Sequence, residues 1–276
     1  MLTPKSILLH LDSSTSVDAL VRTARATADA FDAEVTALYC VTPSLLRYPY
    51  SLESTAGVVA DLQRLDDNRK AQAKTAFDAA CAGSSRLKWA ESDAPWGFAG
   101  RSLYADVLIL RQAPLADPEA DDAARDDLPA DFIPSVLVNS GRPALIVPRI
   151  PASEPIGDTV LLAWKETREA ARAVSAALPW LRRARSVHVV SYDTDSASHL
   201  DALERQLRAH GVAVSQHFGG PEKGDAGDLL LSRAAELGAD LLVMGCYGHS
   251  RAREWALGGA TRTILRTMTL PVLMVH

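Results

Sequence analysis

The sequence predicts two tandem α/β domains, each a doubly wound sheet of five parallel strands, related to each other by a pseudo-twofold axis. Three observations predict this fold class: the length of the chain, an internal repeat, and strands that are apolar without interruption. The 276 residues exceed the usual size of one domain, and 47% hydrophobic with 23% charged residues is an ordinary globular composition. We predict domains at residues 1–149 and 156–276.

Four segments recur in the same order in the two halves of the chain. The pairs are 6–9 with 159–162, 35–41 with 187–190, 105–110 with 239–244, and 142–147 with 270–275. Each is rich in apolar or β-branched residues and lacks the alternation of a half-exposed strand, which is typical of parallel strands covered on both faces. The chain is therefore a tandem duplication.

Helices and breaks fit the same repeat. Apolar residues at helical spacing follow the first strand of each copy, in 17–31 and 170–181. Gly83, Gly211 and Gly238 each follow a further helical stretch, where a left-handed residue ends a helix. Three prolines within 148–157 predict a short, stiff linker. The last strand of each copy would be an exposed edge alone, so we expect the two to pair.

Composition excludes several classes of function. A net charge of −5 provides no positive field for nucleic acid or an anionic membrane. The apolar run 7–11 is too short for an export signal or a membrane span, so we expect a cytoplasmic protein. Cys40, Cys81 and Cys246 form no C-x-x-C pair, which predicts buried thiols rather than disulfides or zinc ligands. No histidine pair has metal-site spacing, and no hydrolase or P-loop motif is present.

A glycine-rich loop follows the strand at 240–244, where ligands bind in open α/β sheets. Its glycines are Gly245, Gly248, Gly258 and Gly259. Glycines let a backbone approach phosphate closely, and His249, Arg251 and Arg253 add donors. Two interpretations stay open: a loop that binds a nucleotide or another phosphate, and a purely structural turn.

The spacing G-x2-G-x9-G, together with segments 163–170, 244–251 and 271–275, resembles the universal stress protein family. The resemblance is detailed in the second half and only architectural in the first. It implies a Rossmann-like fold of the adenine-nucleotide α-hydrolase type, with ATP held by the loop glycines, a following Ser or Thr, and an Asp that contacts adenine. The cofactor-binding residues that it implies are Met244, Gly245, Gly248, Gly258, Gly259, Thr261, Lys165 and Val190.

Both halves depart from the family pattern. In the second half, Lys165 replaces the adenine-binding Asp, and Gly259 replaces the Ser or Thr, with Thr261 two residues later. In the first half Asp12 keeps the acid, but residues 111–114 replace the glycine loop. We therefore predict that the first half binds no nucleotide and that the second binds ATP or a related phosphate ligand only weakly.

Several of these residues have a plain structural interpretation as well. Lys165 is either a solvated lysine at a strand end or a phosphate contact. We expect Asp12 to cap the first helix. Trp164, Trp180 and Trp255 either stack on a base or, as we expect, pack in the core or an interface.

An acidic stretch at 117–131 has carboxylates that suit Mg²⁺, but it contains Pro118 and Pro129 and no apolar period. We predict a solvated surface loop there and no metal site.

The function predicted from the sequence is a non-enzymatic stress-response protein with a small phosphate-bearing ligand, and a homodimer stays open. The alternative is a slow ATPase or phosphoryl-transfer enzyme, which needs a base near the loop, where Glu254 is the only acid.

Overall fold

The computed structural model is an α/β protein with ten strands in one sheet. It describes residues 3–14, 16–47, 56–92, 97–113, 128–129, 131–149, 156–193, 196–220, 224–247 and 259–276. The strands are β1 Ser6–Leu11, β2 Glu34–Tyr39, β3 Leu87–Glu91, β4 Val107–Arg111, β5 Ala144–Val147, β6 Thr159–Ala163, β7 Ser186–Ser191, β8 Ser215–Phe218, β9 Leu241–Gly245 and β10 Val272–Val275. The helices of the described residues are α1 Val17–Phe31, α2 Ser44–Arg47, α3 Ala56–Cys81, α4 Gly97–Ser102, α5 Phe132–Ser140, α6 Arg168–Leu181, α7 Ser196–Ala209, α8 Ala226–Glu236 and α9 Ala260–Thr267.

The strand order is symmetric about the centre of the sheet. It runs β3-β2-β1-β4-β5-β10-β9-β6-β7-β8, so the second half repeats the first in reverse. Neighbouring strands are parallel within each half, whereas β5 and β10 are antiparallel, with Leu145 opposite Leu273. This confirms the predicted pairing of the two final strands. It also merges the two predicted sheets into one sheet, with the pseudo-twofold axis between β5 and β10.

Helices cover both faces of the sheet, and each face has a core that spans the two halves. One core lies under α1, α3, α6 and α7, and the other under α4, α5, α8 and α9. On the first face, Phe31 of α1 meets Trp180 of α6 edge to face, with ring centroids 4.6 Å apart. Trp180 is 4% exposed, which confirms its predicted packing role. The two halves therefore share their apolar interior.

Most local predictions hold. The three glycines expected after helices have φ of 76°, 78° and 62°, in the left-handed region. All three cysteines are buried. Trp164 packs against the core, whereas Trp255, most of the linker and most of the acidic stretch lie outside the described residues. Among the described helices, none has the length and apolar character needed to cross a membrane.

The prediction that Asp12 caps the first helix is wrong. Helix α1 begins at Val17, and Ser16 occupies the cap position without a side-chain hydrogen bond. The Asp12 carboxylate lies too early in the chain and instead pairs with Arg111 at the end of β4. The carboxylate accepts from Ser14 N, which precedes the helix, and from Arg111, and from none of the N–H groups of the first helical turn that a cap would use.

Candidate functional site

The carboxyl ends of the parallel strands form one candidate site in each half. Because the strands of the two halves run in opposite directions, the two sites lie on opposite sides of the sheet, each of which is called here the carboxyl edge of its half. Strand register shows which residues correspond. Leu9 pairs with Ile109 in the first half as Leu162 pairs with Val243 in the second. Counting on from these pairs, Asp12 corresponds to Lys165 and Arg111 corresponds to Gly245.

In the first half this position holds a buried ion pair. Arg111 Nη2 donates to Asp12 Oδ2 at 2.7 Å, and Ser14 N donates to Asp12 Oδ1 at 3.0 Å. Asp12 is 2% exposed and Arg111 is 8% exposed. Burial raises the pKa of Asp12, but the Arg111 charge and the hydrogen bonds outweigh it and hold this pKa below its usual value. An arginine side chain thus neutralises the carboxylate.

His10 lies next to this pair and is also buried. Its Nε2 is 2.8 Å from the carbonyl oxygen of Cys40, and its ring packs against Phe98 and Phe132 at centroid distances of 5.2 and 4.6 Å. Burial lowers the pKa of His10, although the Asp12 charge opposes that shift. The folded protein therefore favours neutral His10.

We predict that His10 makes the fold sensitive to mild acid. The pKa of His10 is lower in the folded than in the unfolded chain. The free energy of unfolding is therefore unaffected by protonation of this residue above about pH 6.5 and decreases as the pH falls further, because the unfolded chain then binds a proton that the folded chain does not. Urea unfolding at several pH values between about 7.5 and 5 should show a steeper loss in the wild type than in His10→Gln, by up to about 1.4 kcal/mol per pH unit. Parallel pH profiles for the two proteins would contradict the assignment.

In the second half the corresponding lysine has no ion-pair partner among the residues that the structure describes. Lys165 is exposed, and its ammonium makes neither a hydrogen bond nor an ion pair with another described residue. Its backbone carbonyl accepts from Thr167 N at 2.7 Å, which holds the turn into α6. The neighbouring Glu166 is engaged by His199, with Oε2 3.2 Å from Nε2. A positive charge is therefore presented at the carboxyl end of β6.

Gly245 has a packing role that the sequence left open. A Cβ at this position would lie 2.5 Å from Ala170 N and 2.6 Å from the carbonyl carbon of Glu169. These are backbone atoms at the start of α6, so a side chain cannot enter without moving the helix. At Gly245 the structural interpretation is thus sufficient by itself.

We predict that Gly245→Ala lowers the free energy of unfolding by about 1–3 kcal/mol, because α6 must shift to accept the methyl group. Gly259→Ser is the matched control. A Cβ on Gly259 meets no atom of the described residues within 4 Å, and serine suits the cap position that Gly259 holds at α9. Chemical denaturation of the two variants checks this, and equal stability would contradict the packing role.

The remaining predicted residues fall at different depths. Met244 and Val190 are buried in the core beneath α8 and α9. Gly259 and Thr261 begin α9, where backbone N–H groups lack partners within the helix. Gly248 and Gly258, with His249, Arg251, Arg253 and Glu254, lie outside the described residues. The structure therefore places Lys165, Gly245, Gly259 and Thr261 at the carboxyl edge of the second half.

A small cavity of about 110 Å³ lies on the same side of the sheet as the ion pair, at the carboxyl ends of β2 and β3. Its lining residues are Tyr39, Val41, Pro43, Asp66, Lys70, Glu91 and Ser92. Its charged groups are paired with nearby side chains: Lys70 Nζ lies 3.2 Å from Glu91 Oε2, and Ser44 Oγ donates to Asp66 Oδ1 at 2.6 Å. In the part of the chain that the structure describes, no three His, Cys, Asp or Glu side chains converge as metal ligands.

Two features of these sites were missed from the sequence: the Asp12–Arg111 pair, and a bridge from Gln112 to α9 described below. The repeat itself carried a signal for the first. When the aligned segments 105–110 and 239–244 are extended by one residue, Arg111 aligns with Gly245. An arginine at the end of a buried strand needs an acidic partner. The second depends on contacts between the halves.

Comparisons with known proteins agree with this architecture. The model of the universal stress protein family matches residues 157–276. A universal stress protein from Archaeoglobus fulgidus DSM 4304 is 16% identical with a TM-score of 0.72, over 99% of this chain and 96% of that chain. A putative universal stress protein from Pseudomonas aeruginosa UCBPP-PA14 is 15% identical with a TM-score of 0.58, over 99% and 93%. No curated protein matches the chain.

The two structures align over both halves of the chain, whereas the family model aligns with the second half alone. At such identities the structural likeness establishes the fold, and the family model adds the sequence relationship. Residues 157–276 therefore belong to the universal stress protein family, and the whole chain shares its fold with the two solved structures.

Proposed function

We propose that the second half binds a small phosphate-bearing ligand weakly, ATP included, and that the protein acts in a stress response without catalysing a reaction. The observation that carries this proposal is the exchange of charge between the halves. Asp12 and Arg111 neutralise each other in the first half, whereas in the second half Lys165 has no ion-pair partner among the described residues and Gly245 brings no charge. An anionic ligand would supply the missing counter-charge.

The start of α9 supports the same ligand class. Backbone N–H groups in the first turn of a helix attract anions, and Gly259 lets a phosphate approach without obstruction by a side chain. The position that would recognise adenine is Lys165, so a charge-assisted hydrogen bond of about 1.5–3 kcal/mol to the base is missing. We therefore expect recognition of the phosphates, little choice of base, and strong dependence on salt.

Titration calorimetry with ATP, GTP and tripolyphosphate tests this proposal. We expect affinities within about threefold of one another, all weakened at high salt, and a loss of roughly tenfold in Lys165→Gln. Lys88→Gln is the matched control, because Lys88 is an exposed lysine in the first half. Tight binding with a strong preference for adenine would refute the mechanism, and failure of all three ligands to bind would refute the function.

A slow ATPase is the alternative, and it requires a base and a metal carboxylate near the ligand. The only acid of the glycine loop, Glu254, lies outside the described residues. Phosphate release from ATP with Mg²⁺ separates the two functions. We expect no release above that of Lys165→Gln, and a turnover that Glu254→Gln abolishes would establish the enzyme instead.

The proposal includes a division into domains at 1–149 and 156–276, supported by the mirrored strand order. We also propose that the protein can form a homodimer. The dimer would need a surface other than β5 and β10, because these two strands pair with each other within the chain. Sedimentation across a concentration series tests for the dimer.

A further inference from the structure

Gln112 joins the two halves of the molecule through its side chain. Its Nε2 donates to the carbonyl oxygens of Leu265 and Arg266, at 3.0 and 3.1 Å, in the last turn of α9. Its Oε1 accepts from Arg149 N at 3.1 Å. The residue directly follows β4 and is 5% exposed. One buried amide thus connects the end of β4 in the first half to a helix of the second half.

Helix α9 reaches from one candidate site to the other. The halves are antiparallel, so α9 begins at the carboxyl edge of the second half and ends beside the carboxyl edge of the first. Its eight residues span about 12 Å. The last carbonyls of a helix lack partners within it, and here the Gln112 amide supplies two donors to them. Gln112 therefore holds the end of α9 opposite to the one that faces the proposed ligand.

The buried ion pair fixes the position of Gln112. Arg111, the preceding residue, is tied to Asp12, and Gln112 N donates to Val147 O at 2.8 Å on β5. A buried ion pair contributes less to stability than its attraction suggests, and in some proteins it serves to select one geometry. Here it holds the end of β4, from which the amide projects towards α9.

We propose that Gln112 is a positioning residue, through which the first half orients α9 so that its amino end meets the phosphate bound in the second half. This inference rests on the proposed function. Attraction between an anion and a helix end is confined to the first turn, so it depends on where that turn lies. The half that has lost its own ligand site thus contributes to the site of its neighbour.

The experiment compares Gln112→Leu, which removes both donors at similar volume, with Asp106→Ala. Asp106 Oδ2 accepts from Lys5 N, Ser6 N and Ser6 Oγ at 2.8–3.0 Å. All three of these donors belong to the first half, and none of them belongs to α9. Amide hydrogen exchange of α9 is measured without ligand, and tripolyphosphate affinity by calorimetry. We expect Gln112→Leu to speed exchange in α9 roughly five- to thirtyfold and to weaken tripolyphosphate binding about three- to tenfold.

The control, Asp106→Ala, should lower the melting temperature without either effect. Unchanged exchange in Gln112→Leu would show that the amide does not hold α9. Faster exchange with unchanged affinity would show that α9 is held but that its position does not matter to the ligand. Either result overturns this inference and leaves the proposed function standing, whereas a wild-type protein that binds no tripolyphosphate overturns both.

Discussion

Replacing Trp180 with alanine should lower the free energy of unfolding by about 3–5 kcal/mol. The side chain is 4% exposed, and it fills the space between α6 and the sheet at the boundary between the halves. The deletion would remove a large apolar surface and leave a cavity, because Gly157 and Leu241, which approach the same spot, cannot fill it. Urea unfolding followed by circular dichroism measures the change. Phe218→Ala, at a side chain that is mostly exposed, should cost less than about 0.5 kcal/mol.

A double-mutant cycle tests whether Trp180 also couples the halves. Its ring meets Phe31 of the first half edge to face at 4.6 Å, a geometry that contributes about 0.5–1.5 kcal/mol beyond area burial. Trp180→Ala and Phe31→Ala should therefore be non-additive by about that amount. Strict additivity would mean that the two rings are neighbours without an energetic link. The coupling between the halves would then come from the pairing of β5 with β10.

The parts of the fold that were predictable are those whose residues are apolar on both faces. Strands β1, β4, β6 and β9 lie inside the sheet, and their unbroken apolar runs identify them from sequence alone. The outermost strands, β3 and β8, gave no such signal. They have only one neighbour each and carry polar residues such as Lys88 and Gln216, so burial does not constrain their composition.

The candidate site was predictable only where it repeats a family motif. Lys165 was identified because an Asp was expected in its place. The ion pair of Asp12 and the bridge from Gln112 join residues 99 and 153 positions apart, and no local spacing encodes such contacts. Gly245 was assigned to a phosphate loop, although the closest atoms to it belong to α6, because a glycine needed for packing and one needed for a ligand have the same sequence signature.

Breaking the buried ion pair should be as costly as removing Trp180. Arg111→Met keeps most of the side-chain volume but leaves the Asp12 carboxylate buried without a cation, which we expect to destabilise the fold by about 3–5 kcal/mol at neutral pH. The double variant Asp12→Leu with Arg111→Met removes both charges. It should recover most of that loss, because no unpaired charge remains in the interior.

The pH dependence distinguishes this mechanism from simple loss of packing. In the wild type the pKa of Asp12 is below its usual value, so the pair stabilises the fold above about pH 3.8 and the contribution is lost as the pH falls further. In Arg111→Met, the largest influence that opposes burial is gone and only His10 and the Ser14 hydrogen bond still lower the pKa of Asp12. We therefore expect this pKa to rise, so that protonation on acidification relieves the buried charge. The stability gap between Arg111→Met and the wild type should therefore narrow as the pH is lowered from about 7 to about 5. A gap that stays constant over that range would mean that lost contacts of the arginine, rather than an uncompensated carboxylate, cause the destabilisation.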